Sequence, residues 1–390
     1  LALEAYEAAG IGTVNPVHDS AALSEYFSKE NNLYLLDFAL PMFETHYFEE
    51  ETVQYVKDAA TAFVGYCIQT QGIEKAYELC DTSKAEELVA LKNDWLAELG
   101  VTAAYEQFTD LVFSYNNGGD TDFPYVIKGE LANWYFQKED VVENGYKTFV
   151  EECEAINPLM TADFSDAQQV LKAYTGDEVP AVDIYTVFTE NEKYSAYSQY
   201  AAIYNPKADG IFLFRDWMKT RENLLHEYVH YLTLGNGKTF SSASGLVEGW
   251  TEAVAVFSCE NRMKAEYLTK YVSEEELAAY QKVGVWDEEN NQVDLQKLCY
   301  YWGNYFVEAD ETFEYGSLGQ QIITKPEQIT LYALSYQAGA SLAEYLTEQY
   351  GMDAVISACM EQGKIEELCG KSFEELYNDW AAWNEEKYRQ

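Results

Sequence analysis

Apolar residues recur at intervals of three and four through the first part of the chain, as at Val53, Val56, Ala60 and Val64, which is the period of a helix with one buried face. No strand-like alternation interrupts this pattern up to about Phe113, so residues 1–115 are expected to form a helical N-terminal region. The run Asn116-Asn117-Gly118-Gly119-Asp120 is the clearest break. Beyond it, Tyr125 to Phe136, Val182 to Phe188, Tyr200 to Tyr204 and Ile211 to Phe214 are short runs rich in aromatic and β-branched residues. Turn signals such as Asn205-Pro206 and Asp209-Gly210 separate them, and together they predict a small antiparallel sheet. From Asp216 the period returns to 3.6 and holds to Gln390, apart from excursions around Trp286 to Val293 and Glu314 to Ile323. The expected fold class is therefore α+β and mostly helical, with a central region over 116–260 and a helical region over 261–390. Tyr66, Gly72, Cys80 and Asn93-Asp94-Trp95 recur as Tyr345, Gly351, Cys359 and Asn378-Asp379-Trp380; this reads equally well as a repeated helical hairpin and as a chance likeness between two helix pairs.

Composition narrows the class of partner. Of 390 residues 48% are hydrophobic, with 33 Tyr, 19 Phe and 8 Trp, which excludes a disordered or low-complexity chain. A formal net charge of −42 repels phosphate backbones and anionic lipid surfaces, so nucleic acid is excluded as a partner. No apolar stretch approaches the ~20 residues of a transmembrane helix. The chain starts at Leu1 with no charged leader, and the expectation is of a microbial protein, extracellular or at the cell surface, with its targeting segment removed. The seven cysteines at 67, 80, 153, 259, 299, 359 and 369 form no C-x-x-C pair, and small buried hydrophobes is their expected role.

Chemistry concentrates in one place. Leu224-Leu225-His226-Glu227-Tyr228-Val229-His230 contains H-E-x-x-H, and with 4 His and 47 Glu in the chain about 0.005 accidental matches are expected. On a helix, positions i and i+4 share a face, so both imidazoles can reach one ion at ~2.0–2.1 Å. Glu227 then lies beside the ion, where a carboxylate can take a proton from water without being a ligand. A third ligand is required, and no His follows His230. The segment Gly245 to Ala253 offers two carboxylates, Glu248 and Glu252, at i and i+4 on a second predicted helix.

These paired motifs resemble those of the gluzincin zinc metallopeptidases, the clan of thermolysin and the aminopeptidase N-like enzymes. The resemblance implies a zincin-like catalytic unit whose sheet precedes the active-site helix and whose cleft the C-terminal helices complete. It implies Zn2+ held by His226, His230 and Glu248, Glu227 as general base, and Glu252 behind a ligand histidine, with exchanged roles for Glu248 and Glu252 as the alternative. Leu334 to Ser341 is similar to the Tyr-x-x-Gly-Ala segment of the aminopeptidase N-like members, which makes Tyr336 a candidate donor to the oxyanion, with helix packing as the other role open to it. The stretch from Tyr345 to Trp380 resembles the helical tail of peptidase-MA-like proteins. The Gly-Ala-Met-Glu-Asn segment that holds a free amino group in aminopeptidases is missing, which favours an endopeptidase. In this clan a sheet edge binds the peptide substrate, and the Tyr200 to Phe214 hairpin is expected near that edge. The expected function is zinc-dependent hydrolysis of a peptide or protein substrate. The alternative is a non-catalytic zincin-like surface protein that binds peptide or glycan.

Two acidic groups, Asp120 with Asp122 and Asp287 with Glu288 and Glu289, lack the spacing of a calcium loop and are expected to be solvated. His18 and His46 have no motif around them and are expected to be ordinary, partly buried histidines.

Overall fold

The computed structural model describes residues 17–29, 32–36, 50–79, 85–106, 111, 113–115, 122–137, 146–176, 178–187, 194, 200–214, 221–235, 245–259, 273–308, 329–360, 367 and 369–390. His46, Cys80, Asp120 and the Glu314 to Ile323 excursion lie outside them. The chain is mostly helical with a small mixed sheet, and it divides into two compact units, one of residues 1–129 and 134–154 and one of 130–133 and 155–390.

In the first unit, helices α1 (Ser20–Phe27), α2 (Glu50–Gln71), α3 (Ile73–Glu78) and α4 (Ala85–Glu98) precede strand β1 (Phe113–Tyr115), as the three-and-four spacing predicts. Leu23, Phe27, Ala59, Phe63, Trp95, Leu96 and Tyr105 form their common core. Strand β2 (Tyr125–Lys128) runs antiparallel to β1. Residues 134–136 of β3 (Ala132–Phe136) follow, with Phe136 set edge-on to Phe149.

Helix α5 (Tyr146–Thr175) separates β3 from β4 (Val182–Val187); it interrupts what the sequence reading treats as a run of strands. Its buried positions Phe149, Val150, Cys153, Ile156, Met160, Phe164, Ala167 and Leu171 keep the helical period, so the signal was in the chain.

In the second unit the strand order is β4, β6, β5, with β5 Ala202–Asn205 and β6 Gly210–Phe214. The sequence predicts an antiparallel sheet, but the sheet is mixed: β4 pairs with β6 in parallel, and β5 pairs with β6 antiparallel. The reason lies in burial. β6 reads Gly-Ile-Phe-Leu-Phe and is nearly continuously buried, whereas β5 alternates buried and half-buried positions. The more apolar strand takes the inner place against β4, and the hairpin thereby leaves its alternating strand outermost among the described strands.

Helix α6 (Arg221–Leu234) packs on β5 and β6. Leu224, Leu225, Tyr228, Val229, Tyr231 and Leu232 are buried around its circumference. Helix α7 (Gly245–Ala253) follows and passes into a π-helical turn, Val254–Ser258. Helix α8 (Glu274–Lys282) is followed, where an excursion from the helical period is expected, by the short hairpin of β7 (Trp286–Asp287) and β8 (Gln292–Val293), and then by α9 (Leu295–Glu308), α10 (Ile329–Tyr350), α11 (Met352–Met360) and α12 (Phe373–Arg389). Buried Asn384 of α12 joins three helices: its Nδ2 donates to Tyr300 O at 2.8 Å and Asn304 Oδ1 at 2.6 Å, and it is hydrogen-bonded to Ser341. Both copies of the internal similarity place their glycine, Gly72 and Gly351, at positive φ between a 22-residue helix and a short one.

Candidate metal centre

Helix α6 carries His226 and His230 one turn apart, with ring centroids 4.8 Å apart. The histidines are 6% and 5% exposed. The helix is held in place by its neighbours: Tyr228 stacks on Phe164 at 3.9 Å and accepts from Gln168 Nε2 at 2.7 Å, and Tyr231 donates to Pro180 O at 3.0 Å. Burial of this kind fixes the axial position and rotation of α6, and so the directions of both imidazoles.

Glu248 and Glu252 arrive from α7. Glu248 Oε2 lies 3.2 Å from His226 Nε2 and 3.1 Å from His230 Nε2. Glu252 Oε2 lies 2.9 Å from His226 Nδ1. The geometry therefore separates the two carboxylates. Glu248 faces the two Nε2 atoms, and Glu252 stands behind His226 at Nδ1, so that Nε2 is the nitrogen of His226 on the side of Glu248 and His230. Among the described residues, His230 Nδ1 is buried without a hydrogen-bond partner.

The charges point the same way. Burial alone would lower the pKa of His226, but the hydrogen bonds of Glu248 and then Glu252 outweigh it and push it up to about 10. Burial opposes ionisation of Glu248, yet the adjacent His230 and His226 hold its carboxyl well below the usual range. Both shifts favour positive charge between the three donor atoms. The set is also the right one chemically: two imidazole nitrogens and a carboxylate oxygen suit zinc, and a tetrahedral site with ~2.0–2.1 Å bonds needs donors about 3.4 Å apart. Among the described residues His226, His230 and Glu248 are the group able to hold a metal, their donor atoms lying within 4.8 Å of one another.

Glu227 is not one of those ligands. Its Oε2 accepts the backbone N–H of Tyr204, on β5, at 2.6 Å. Burial raises its pKa, the two imidazoles oppose the rise, and Glu248 adds to it. Tyr336, on α10, sets its ring edge-on to His226, with centroids 5.3 Å apart and planes at 83°. What lets α10 come this close is a glycine crossing. A methyl group on Gly249 would lie 2.5 Å from the carbonyl carbon of Gly339, and one on Gly339 2.9 Å from Gly249 Cα. The glycine after Glu248 and the glycine of the Tyr-x-x-Gly-Ala segment thus share one function.

The remaining candidates have partners of their own. Asp287 spends its oxygens on its own turn, accepting from Glu289 N, Asn290 N and Asn290 Nδ2 at 3.0, 3.1 and 2.7 Å. His18 Nδ1 lies 2.7 Å from Asp58 Oδ2, and its ring stacks on Tyr55. Cys67, Cys153, Cys259 and Cys299 are buried free thiols. No helix is long and apolar enough to cross a membrane among the described residues. Sequence reasoning missed Tyr204, because the group that reaches Glu227 is a backbone amide and carries no residue signature. In comparisons with known proteins, no family model, no curated protein and no solved structure matches this chain.

Proposed function

We propose that the chain is a zinc-dependent metallopeptidase of gluzincin type, with a zincin-like catalytic unit, acting as an endopeptidase on peptide or protein substrates. The observation that carries this reading is the convergence of His226 Nε2, His230 Nε2 and Glu248 Oε2, with a fourth polar group, Glu227, beside them and committed to none of the three. A purely structural zinc site has no use for a carboxylate in that place. Bound zinc would polarise the scissile carbonyl and make water more acidic.

The residues supply the rest. Glu227 takes a proton from the attacking water and delivers it to the leaving amine nitrogen as the C–N bond breaks. With Oε2 engaged by the Tyr204 amide, Oε1 is the oxygen that receives the proton. Glu252 keeps His226 in the tautomer whose Nε2 faces the metal position. The Tyr336 hydroxyl donates to the carbonyl oxygen as it becomes anionic.

Metal analysis of the purified protein tests the ligand set. About one zinc per chain is expected, lost in His226→Ala and in Glu248→Ala, with affinity lowered roughly 10- to 100-fold in Glu252→Ala. Full occupancy in Glu248→Ala with loss in Glu252→Ala would exchange the two roles. Full occupancy in both His226→Ala and Glu248→Ala would remove the site.

A further inference from the structure

We propose that Tyr204 is a positioning residue for Glu227, its backbone amide holding the carboxylate and its side chain anchoring that amide to the end of the same helix. This rests on the reading of Glu227 as proton acceptor. The ladder between β5 and β6 sets the geometry. Phe214 N–H donates to Ala201 O at 2.8 Å, and hydrogen-bonded pairs alternate along an antiparallel ladder. In the register Ile203↔Phe212, Tyr204↔Ile211 and Asn205↔Gly210, the amides of Ile203 and Asn205 therefore face β6, and that of Tyr204 faces away. A strand edge of this kind leaves a donor unpaired unless another group takes it, and Glu227 Oε2 does so at 2.6 Å.

The side chain of the same residue closes the arrangement. The buried Tyr204 ring stands edge-on to Tyr231 at 6.0 Å, and its hydroxyl donates to Asp209 Oδ1 at 2.8 Å. Asp209 sits at φ 49 in the hairpin turn. Gly235, immediately beyond the last residue of α6, leaves room for this contact: a methyl group there would lie 2.5 Å from Tyr231 O, 2.8 Å from the Tyr204 hydroxyl and 3.1 Å from Asp209 Oδ1. Eight residues of helix, ~12 Å of rise, separate Glu227 from Gly235. Tyr204 thus touches α6 at two levels, by its amide beside the reacting carboxylate and by its hydroxyl at the helix end. Shifting the hydroxyl moves the amide, and with it the carboxylate.

Two measurements test this. The first needs no catalysis. Hydrogen exchange of the Tyr204 amide, followed residue by residue, is expected to accelerate at least about ten-fold in Glu227→Ala while Ile203 and Asn205, paired to β6, are unchanged. Equal protection of Tyr204 in parent and variant would overturn the proposal. The second is steady-state kinetics of the zinc-loaded protein. Tyr204→Phe, Asp209→Ala and Gly235→Ala are expected to lower kcat roughly 10- to 100-fold with KM and zinc content preserved. Asp209→Asn keeps an acceptor oxygen and is expected to restore turnover. In a Glu227→Gln background Tyr204→Phe is expected to change the residual rate by less than about two-fold, because the two act through one group. Full additivity in that background, or a loss confined to melting temperature, would overturn the positioning role. A parent that hydrolyses no peptide overturns the positioning role together with the reading it rests on, and the exchange data still decide separately whether the amide holds Glu227.

Discussion

Two imidazoles one turn apart serve a metal only when each presents a lone pair rather than a proton. At His226, Glu252 Oε2 lies 2.9 Å from Nδ1 and Glu248 Oε2 lies 3.2 Å from Nε2, so a proton kept on Nδ1 by Glu252 would leave Nε2 as the ligating nitrogen. Tyr336 sets its ring edge-on to His226, and a chemical role for its hydroxyl can be separated from packing. Tyr336→Phe keeps the ring against His226, so loss of an oxyanion donor is expected to lower turnover by ~10² to 10³ at unchanged melting temperature; unchanged turnover would take Tyr336 out of the chemistry. Asp58 shows the other use of a buried carboxylate. Burial opposes its ionisation, but it accepts from the amides of His18 and Val17, from the His18 ring and from Gln54, and these hold its pKa below the ordinary 3.8. A depressed folded-state pKa contributes stability above the unfolded value and loses it as pH falls through the folded one. Asp58→Asn is therefore expected to cost about 1–3 kcal/mol at neutral pH. In denaturant titrations the gap to the parent narrows as pH drops below about 4. A gap independent of pH would mean that the ionised form does not carry the anchor.

Helix α7 owes its place to what its side chains lack. In an exposed helix, replacing Gly by Ala gains about 1 kcal/mol. At Gly249 and Gly339 the added methyl would sit 2.5 and 2.9 Å from the facing backbone, and overpacking of that order costs about 1–3 kcal/mol. The clash decides the sign, so Gly249→Ala and Gly339→Ala are each expected to lower the melting temperature, and a rise in either would contradict the crossing. The elements also mark the limits of pattern reading. The helical period of α2 was legible in Val53, Val56, Ala60 and Val64, and that of α5 was present in Phe149, Cys153, Ile156, Met160 and Phe164 but masked by the strand-like runs on either side. The positions of β2 to β6 were legible, whereas β1, Phe113–Tyr115 at the end of the region expected to be helical, was too short to show alternation, and strand direction was not legible, because alternation has a period and no sense. The contrast between continuous burial in β6 and alternation in β5 was the remaining clue to which strand lies inside.

Across the whole molecule the charge of −42 repels anionic groups at long range, while the candidate metal centre is confined to a few buried and half-buried groups of the second unit. His226, Glu227 and His230 could be read directly, since a motif on one helix is local in sequence. Glu248 required a second helix 18 positions on from His230, and Tyr336 a third element. Tyr204, 23 residues before Glu227, enters only through tertiary structure. The central claim is that Glu227 moves a proton in peptide hydrolysis. The zinc-loaded parent and Glu227→Gln, assayed side by side on a quenched peptide library, test it most directly. An amide cannot accept the proton, so the parent is expected to cleave while the variant, with the same fold and zinc content, loses activity by a factor of ~10² to 10⁴. A variant as active as the parent, or a parent inactive on every peptide, would contradict the account.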